Sequence, residues 1–419
     1  MVTPFAPDTA ASLGTELARG TLRRRGSLTD CVVHDFGLTR ADAAAEVDLT
    51  ARQLEYTLGS DARKWVLGRK PICAADQEAA LMVPSNMATA ALLDIARLVV
   101  SGNRVRVRLS KRGVRTGSLL QDIVDEVMPG QVTIRQDASG PEFLADALDS
   151  GSVPLLMVYG GEEMGIELLT RLRGTSNTRT VFEGPGKDPA IVLEGALVQQ
   201  TAADLTAAKF ANSGQRCVAP ENILVASAIH DELVERLVRA CRDANVGDPN
   251  ESSTQIGPMV SPKVPRIVRD QLDEARRLGA EVHCGGTVEG QWVAPTVVSG
   301  VRPEMTLFQD ETFAPVFAVV SFDSVDEALA MARDTRFGLA CTVVGPCAGD
   351  LASTLRGEEY AHRVDQLLFG RFGIVSVGRP LADEDVSVFG GYGRSGWIWG
   401  EGGLYQGPKF LMREATVLP

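Results

Sequence analysis

The stretch Asn212-Ser213-Gly214-Gln215-Arg216-Cys217 places one cysteine among small and polar residues. A structural cysteine behaves as a small apolar side chain and prefers apolar neighbours. Polar surroundings suit a reactive thiolate instead, which attacks electrophilic carbon. Cys217 is therefore a candidate nucleophile. Because a lone cysteine is more often inert and packed, the assignment needs support from other residues of the chain.

The composition around this stretch is that of an ordinary globular chain. Its 419 residues suffice for two or three domains with their own cores. No run approaches the roughly 18 apolar residues that a membrane span needs, and the N-terminus lacks a basic, apolar leader. We therefore expect a cytoplasmic protein without a membrane segment. The net charge of −12 disfavours nonspecific binding to nucleic acid.

The cysteines and histidines argue against a disulfide framework and against a metal site. Seven cysteines are scattered without a CxxC pair, and the four histidines are widely separated. The chain contains neither HExxH nor GxSxG. The segment Gly184-Pro185-Gly186-Lys187 has Asp188 where a phosphate-binding loop needs Ser or Thr, which excludes an NTPase loop. We expect reduced thiols and no metal.

Short apolar segments alternate with helical patterns on both sides of Cys217. This alternation predicts βαβ units and parallel sheets, which bind ligands beyond the carboxyl ends of their strands. The last residues, Phe410 to Leu418, are expected to form an extended tail that pairs with another sheet edge. The predicted strands are 79–83, 104–109, 131–134, 153–159, 178–182, 190–193, 222–225 and 313–322. The predicted helices are 10–24, 40–56, 88–100, 117–127, 142–149, 163–173, 202–211, 230–243 and 264–278.

Six segments in order, over about residues 79 to 419, resemble the aldehyde dehydrogenase superfamily. The stretch ending at Cys217 resembles its catalytic-cysteine segment, and Glu183 to Pro189 resembles Glu-Leu-Gly-Gly-Lys-Ser-Pro, at the family's usual separation (217 − 183 = 34). The other four segments are Pro84-Ser85-Asn86, Tyr159 to Gly165, Asp310 to Pro315, and Phe389 to Tyr392 with Ser395-Gly396.

The resemblance implies an α/β fold with two Rossmann-like parallel-sheet domains and a small extended oligomerisation element. Residues 1–188 would form N-terminal helices and the dinucleotide-binding domain, and residues 189–392 the catalytic-cysteine domain. Residues 393–419 would return to the cofactor domain and end in an oligomerisation strand. A homodimer is the expected assembly. The segment before Asn86 is shorter than is usual in the family.

The resemblance also implies roles for individual residues. Cys217 would be the nucleophile, Glu183 the general base, and Asn86 a donor to the oxyanion. A nicotinamide cofactor would then contact three further groups of residues. These are Arg108, Ser110 and Lys111 at the adenosine ribose, Gly160 and Gly161 at the pyrophosphate, and Glu311 and Phe313 at the nicotinamide ribose.

Three departures from the family pattern surround these residues. Gly184-Pro185 replaces Leu-Gly, so a backbone donor is lost near the nicotinamide and φ is fixed. Ser85 replaces tryptophan beside Asn86, and Val218 follows Cys217 where small polar residues are common. The Trp397-Ile398-Trp399 cluster suits either a pocket wall or core packing.

Three functions remain open from the sequence. The first is oxidation of an aldehyde to a carboxylic acid through a Cys217 hemithioacetal and thioester. The second uses the same cysteine to form a thioester with a thiol acceptor, or to reduce an activated acyl group. The third is a descendant of the fold without redox chemistry, acting as a structural protein or in another cysteine-based reaction.

The basic residues after the second predicted strand generate a test of cofactor choice. Lys111, with Arg112 and Arg115 nearby, stands where an acidic residue would hydrogen-bond the free ribose hydroxyls of NAD. Cations suit the 2′-phosphate of NADP. We expect a lower Michaelis constant for NADP than for NAD in steady-state assays, and an equal or lower constant for NAD would contradict this reading.

Overall fold

The computed structural model describes residues 7–60, 78–175, 178–345, 371–378, 380, 391–400 and 403–405. Over these ranges the chain divides into two compact units. The first comprises the described residues up to 184 and from 397 onward, and the second comprises those from 185 to 396. The domain boundaries expected at residues 188 and 392 stay a prediction.

The first unit begins with helices. The predicted helices at 10–24 and 40–56 are confirmed. Between them lies a helix that was not predicted, which buries Leu28, Val32 and Phe36 at i, i+4 spacing. The elements are α1 (Pro7–Arg23), α2 (Arg25–Phe36), α3 (Arg40–Leu54) and a π-helical turn (Glu55–Ser60).

A seven-stranded sheet follows, in the order β16-β15-β5-β4-β1-β2-β3. Strands β1 to β5 are parallel, and the order reverses between β1 and β4, the switch point where dinucleotides bind in open sheets of this kind. The strands are β1 (Glu78–Met82), β2 (Arg104–Arg108), β3 (Val132–Arg135), β4 (Leu155–Tyr159), β5 (Arg179–Glu183), β15 (Gly396–Gly400) and β16 (Gly403–Tyr405). The helices are α4 (Ala91–Val100), α5 (Val114–Val127), α6 (Gly140–Asp149) and α7 (Glu162–Thr175).

Trp397 joins the core of this first unit. Its ring stacks on Phe182 of β5 with centroids 5.2 Å apart, and only 5% of the residue is exposed. Of the two roles that suited the tryptophan cluster, the structure places Trp397 in core packing.

The second unit contains another seven-stranded sheet, in the order β14-β13-β6-β7-β12-β11-β8, in which only the edge strand β8 is antiparallel to its neighbour. The strands are β6 (Asp188–Val192), β7 (Pro220–Ala226), β8 (Glu281–Cys284), β11 (Thr296–Ser299), β12 (Val316–Phe322), β13 (Ala340–Val344) and β14 (Ile374–Val377), with a small hairpin of β9 (Val288–Glu289) and β10 (Trp292–Val293). The helices are α8 (Val198–Phe210), α9 (His230–Asp243), α10 (Val264–Arg277), α11 (Thr306–Gln309) and α12 (Val325–Arg333).

Both faces of the second sheet are buried. Ile191 and Leu224 belong to one apolar cluster, whereas the neighbouring Val192 and Ile223 belong to the other. Successive side chains of a strand point to opposite faces, so a sheet covered on both sides requires continuous apolar runs. This explains why the segments around 190 and 316 read as apolar runs without alternation.

Some expectations fall outside the described residues. They include the tail at 410–418, with the oligomerisation strand expected there, and Phe389 and Gly390 of the C-terminal signature. Within the described ranges, no helix combines the length and the apolar character that crossing a bilayer would require.

The Phe182–Trp397 stack predicts a large effect on stability. Truncating Trp397→Ala removes a buried aromatic ring and leaves a cavity, which costs about 3–5 kcal/mol of unfolding free energy. Urea denaturation followed by circular dichroism would measure it. Trp399→Ala is the matched control, since Trp399 lies on the same strand but is only partly buried. Equal losses from both substitutions would contradict the central role of the stack.

Candidate active site

In the first unit, four candidate positions lie at the carboxyl ends of parallel strands. Asn86 lies in the turn after β1, Arg108 ends β2, Gly160 follows β4 and Glu183 ends β5. The Val83 amide donates to the Arg108 carbonyl oxygen at 3.1 Å, and the Gly160 amide donates to the Glu183 carbonyl oxygen at 3.0 Å. These bonds extend the strand pairing beyond the strands, so the four segments lie together at the carboxyl ends of the strands.

Arg108 is the cation closest to the end of β2. It is half-buried, and burial lowers the pKa of its guanidinium from the usual value. Its Nε is buried and has no hydrogen-bond partner within the described residues. A buried donor left unbonded costs free energy, so Arg108 offers an unmet donor at this edge. Lys111 and Arg112 are exposed, and the Ser110 hydroxyl oxygen accepts from the Arg112 amide at 3.4 Å.

Gly160 and Gly161 lead from β4 into α7, which begins at Glu162. A Cβ built on Gly161 would meet no atom within 4 Å, so open space lies beside the start of this helix. By contrast, a Cβ on Gly165 would lie 2.6 Å from the Phe182 ring, so that glycine allows the helix to approach the sheet. Amide groups at a helix start favour anions such as a pyrophosphate.

Glu183 is buried at the end of β5 and pairs in register with Tyr159 of β4. Burial raises the pKa of Tyr159 well above its usual value, and the negative charges of Asp94 and Glu183 raise it further. The Tyr159 hydroxyl donates to Asp94 Oδ2 at 2.5 Å. Tyr159 is thus a neutral hydrogen-bond donor held beside the Glu183 carboxylate.

In the second unit, the candidate residues lie at the amino ends of strands instead. Cys217 precedes β7, the segment 185–187 precedes β6, and Glu311 to Phe313 precede β12. The candidate residues therefore follow the carboxyl ends of strands in the first sheet and precede the amino ends of strands in the second.

The turn before Cys217 adopts an unusual backbone. Asn212, Ser213 and Gly214 all have positive φ, at 49°, 55° and 78°. A Cβ at Gly214 would lie 2.4 Å from the Ala314 backbone, so only glycine fits there. The Gly257 amide donates to Ser213 Oγ at 2.9 Å, and the Val260 amide donates to Gln215 Oε1 at 2.6 Å. The polar residues that drew attention to this stretch therefore hold its backbone in place.

Gly186 brings the motif at residues 183–189 against the segment that ends at Cys217. A Cβ at this glycine would lie 2.1 Å from the Cys217 carbonyl oxygen, so a larger residue cannot fit. The Gly186 amide donates to Glu311 Oε1 at 3.0 Å. Three of the sequence motifs, around Gly186, Cys217 and Glu311, therefore meet in the second unit.

A buried ion cluster lies beneath these segments. Glu221 accepts from Lys187 Nζ at 2.7 Å and from Lys209 Nζ at 3.1 Å, and also from the amides of Thr312 and Phe313 at 2.8 and 3.0 Å. Burial alone would raise the pKa of Glu221, but the two ammonium groups outweigh it and lower the pKa to about 2. Glu221 is thus an ionised carboxylate that joins four segments.

Two neighbouring carboxyls, Glu311 and Asp188, have raised pKa values, whereas the pKa of Glu221 is lowered. Burial raises the pKa of Glu311 to about 8, with the charge of Glu221 adding to the shift. Burial also raises the pKa of Asp188 well above its usual value, although Asp188 Oδ1 accepts from the Ala340 amide at 3.0 Å. Glu311 therefore holds a proton at neutral pH, and burial shifts the pKa of Asp188 in the same direction.

The C-terminal signature contacts the segment before β6 through Ser395. Ser395 is buried; its hydroxyl donates to the Pro185 carbonyl oxygen at 2.6 Å and accepts from the Gly338 amide at 3.0 Å. This contact ties the C-terminal signature to Pro185 within the second unit.

Several of these residues were not predicted from the sequence. Glu221 and Lys209 were not singled out, although the charge of Glu221 at the start of an apolar strand was a signal that it needed partners. Tyr159 was read as part of a motif without its bond to Asp94. Among the described residues, no group of three or more His, Cys, Asp or Glu side chains could hold a metal ion.

Comparisons with known proteins identify the relatives of this chain. A model described as the aldehyde dehydrogenase family matches residues 11–416, which extends the resemblance into the N-terminal helices. An aminoacetaldehyde dehydrogenase of Pseudomonas aeruginosa is 35% identical over 58% of this chain, and the match spans about half (49%) of that enzyme. A 2-aminomuconic 6-semialdehyde dehydrogenase of a Pseudomonas species is 28% identical over 87% of this chain and 73% of its own. An NADP-dependent succinate-semialdehyde dehydrogenase of Mycobacterium leprae is 31% identical over 63% and 55%.

Solved structures share the fold. An oxidoreductase from Marinobacter aquaeolei superposes with a TM-score of 0.83 at 23% identity, covering 94% of this chain and 83% of its own. A betaine aldehyde dehydrogenase from Staphylococcus aureus in complex with NAD+ has a TM-score of 0.81 at 22% identity, covering 94% and 79%. At these identities the likeness establishes the fold alone, and it confirms the predicted α/β class.

Glu311 and Glu221 predict opposite pH dependences of the unfolding free energy. Between the ordinary glutamate value of 4.5 and about 8, the folded state keeps a proton on Glu311 that the unfolded state loses, so stability falls as pH rises. For Glu221 stability falls as pH drops from 4.5 towards about 2. We expect Glu311→Gln to remove part of the loss between pH 5 and 8, up to about 1.4 kcal/mol per pH unit.

Urea denaturation of both proteins at four pH values in this range would measure the difference. The charge of Glu311 contributes to the raised pKa of Asp188, so the difference between the two proteins reports Glu311 together with its effect on Asp188. A difference that stays constant from pH 5 to 8 would show that Glu311 is already ionised in the folded protein.

Proposed function

Because the chain belongs to the aldehyde dehydrogenase family, we propose that it oxidises an aldehyde to a carboxylic acid through a covalent intermediate on Cys217. The members of this family are oxidoreductases that act on aldehydes with NAD or NADP. In this proposal Glu183 is the general base and Asn86 an oxyanion donor. NADP is the preferred cofactor.

The observation that carries the proposal is the backbone before Cys217. Two non-glycine residues with positive φ, Asn212 and Ser213, cost of order 1–3 kcal/mol each unless their surroundings hold them in place. Here Ser213 and Gln215 accept hydrogen bonds from the 257–260 loop, and Gly214 packs on Ala314. A strained turn this firmly held is typical of a site that must present one side chain in a fixed position, and an inert packed cysteine would not require it.

The chemistry follows from the side chains. The Cys217 thiolate attacks the aldehyde carbon and forms a hemithioacetal, whose oxyanion accepts hydrogen bonds from the Asn86 amide and the Cys217 backbone N–H. A nicotinamide held by Glu311 and Phe313 would supply the acceptor for the hydride of this carbon. A thioester remains on Cys217. Glu183 then takes a proton from water, and the resulting attack on the thioester carbon releases the acid and the thiolate.

The residues present fit a dinucleotide. Arg108 offers an unmet buried donor at the end of β2, and Gly161 leaves open space at the start of α7, both beside the switch point of the first sheet. We assign Arg108, Ser110 and Lys111 to the adenosine ribose and Gly160 with Gly161 to the pyrophosphate. Glu311 and Phe313 would contact the nicotinamide ribose.

Two alternative functions can be distinguished from aldehyde oxidation by their products. A thiol acceptor would give a thioester product, and a descendant without redox chemistry would reduce neither cofactor. The buried carboxylate of Glu183 favours hydrolysis, because a thiol acceptor would not need that base. We further propose that the protein is cytoplasmic and forms a homodimer.

A panel of aldehydes tests the reaction. It begins with the aldehydes named for the relatives above, aminoacetaldehyde, succinate semialdehyde and 2-aminomuconic semialdehyde, with NADP and NAD in parallel. We expect reduced nicotinamide and free acid from the wild type and a complete loss of turnover in Cys217→Ala. Glu183→Gln should give a burst of reduced cofactor equal to one per active site, followed by turnover at least 100-fold slower.

Cys31→Ala is the matched control, because Cys31 is also half-buried but lies on α2, outside the proposed site. It should keep wild-type turnover. Turnover that survives Cys217→Ala would refute the covalent mechanism, and a thioester product in place of acid would select the thiol-acceptor reaction.

A further inference from the structure

The carboxylate of Glu46 holds the end of the Asn86 turn. Glu46 lies on α3, and its Oε1 accepts from the Thr89 amide at 2.7 Å and from the Thr89 hydroxyl at 2.6 Å. It also accepts from the Ala90 amide. These amides lie in the turn just before α4, whose N-cap residue Ala90 has no side-chain cap, and the first amides of a helix have no partner within it. A side chain from another helix therefore supplies the cap that α4 lacks from its own sequence.

Thr50 adds a second contact from the same helix. Its hydroxyl lies 3.3 Å from that of Thr89, and both threonines are fully buried. Because the Thr89 hydroxyl already donates to Glu46, the shared hydrogen bond is donated by Thr50. Thr89 is thus fixed by its amide and its hydroxyl, away from water.

The segment that carries Asn86 is short and held at both ends. At its start, the Val83 amide donates to the Arg108 carbonyl oxygen at 3.1 Å, and at its end Thr89 binds Glu46. Asn86 stands three residues before Thr89, so a displacement of Thr89 must move it. Oxyanion donors act only where they are positioned in advance, and small displacements are costly in rate.

We propose that Glu46 is a positioning residue for the reaction, which through Thr89 sets the place of the Asn86 amide. The inference rests on the function proposed above. It gives the N-terminal helices a catalytic purpose within the first unit, in addition to their packing.

The charge of Glu46 suggests a conservative variant. Burial raises the pKa of Glu46, and the bonds from Thr89 and Ala90 oppose this shift. The contacts to Thr89 require an acceptor oxygen, which the amide of glutamine also supplies. Glu46→Gln should therefore keep the anchor, whereas Glu46→Leu removes it at similar volume.

The test is a double-mutant cycle between positions 46 and 86. We expect Asn86→Ala to lower kcat/KM for the aldehyde by about 10²–10³, Glu46→Leu to lower it at least 10-fold, and Glu46→Gln to stay within 3-fold of wild type. The double variant Glu46→Leu/Asn86→Ala should fall within 2-fold of Asn86→Ala alone, because the anchor has nothing left to position. The dissociation constant for NADP should change less than 3-fold in all of them.

Ser324→Ala is the control for the loss of a helix cap. Ser324 caps α12 by accepting from the Glu327 amide at 3.2 Å, in the second unit, and its loss should lower stability but not kcat/KM. If Glu46→Leu unfolds the protein, the cycle is run with Thr89→Val, which removes only the hydroxyl contacts, and the same non-additivity is expected.

The outcomes separate the two proposals. Effects of Glu46→Leu and Asn86→Ala that multiply in the double variant would show a structural role and overturn the inference, as would wild-type turnover in Glu46→Leu. Wild-type turnover in Asn86→Ala would instead refute Asn86 as the oxyanion donor, and the positioning role would fall with it.

Discussion

The ionised carboxylate of Glu221 is the contact on which the second unit depends. Two buried ammonium groups, Lys187 and Lys209, share it with the amides of Thr312 and Phe313. A buried charge is costly unless it is paired and hydrogen-bonded, so each partner needs the others. This mutual need fixes the start of β6, the end of α8, the start of β7 and the segment before β12. The sequence motifs around Gly186, Cys217 and Glu311 lie in or directly beside three of those four segments.

Close packing of backbone segments at two glycines holds the same region in place. Gly186 lies against the Cys217 carbonyl oxygen and Gly214 against Ala314, and a Cβ at either glycine would overlap backbone atoms. The hydrogen bond from the Gly186 amide to Glu311 then joins two of the segments around Cys217. A strained turn persists only where its surroundings leave no alternative, and here buried charges, glycine contacts and side-chain acceptors act on one small region.

Much of the fold could be predicted from the sequence. Alternation of short apolar segments with helical patterns predicted the βαβ units, and valines 105 and 107 of β2 point inward as their spacing indicates. Helix α2 escaped prediction, although its buried residues recur at helical spacing. The cap of α4 could not be predicted, because Glu46 and Thr89 are 43 residues apart and neither carries a local signal.

By itself the sequence determined the identity and order of the candidate groups, since a thiol, a carboxylate and an amide in family spacing are properties of residue type and position. Only the tertiary structure decided how those groups are held. It placed the first set at the carboxyl ends of one sheet and the second at the amino ends of another. It also made Glu221 an anion and Glu311 a neutral acid, although both are glutamates. The pKa of a carboxyl depends on burial and neighbouring charge, which residues distant in sequence supply.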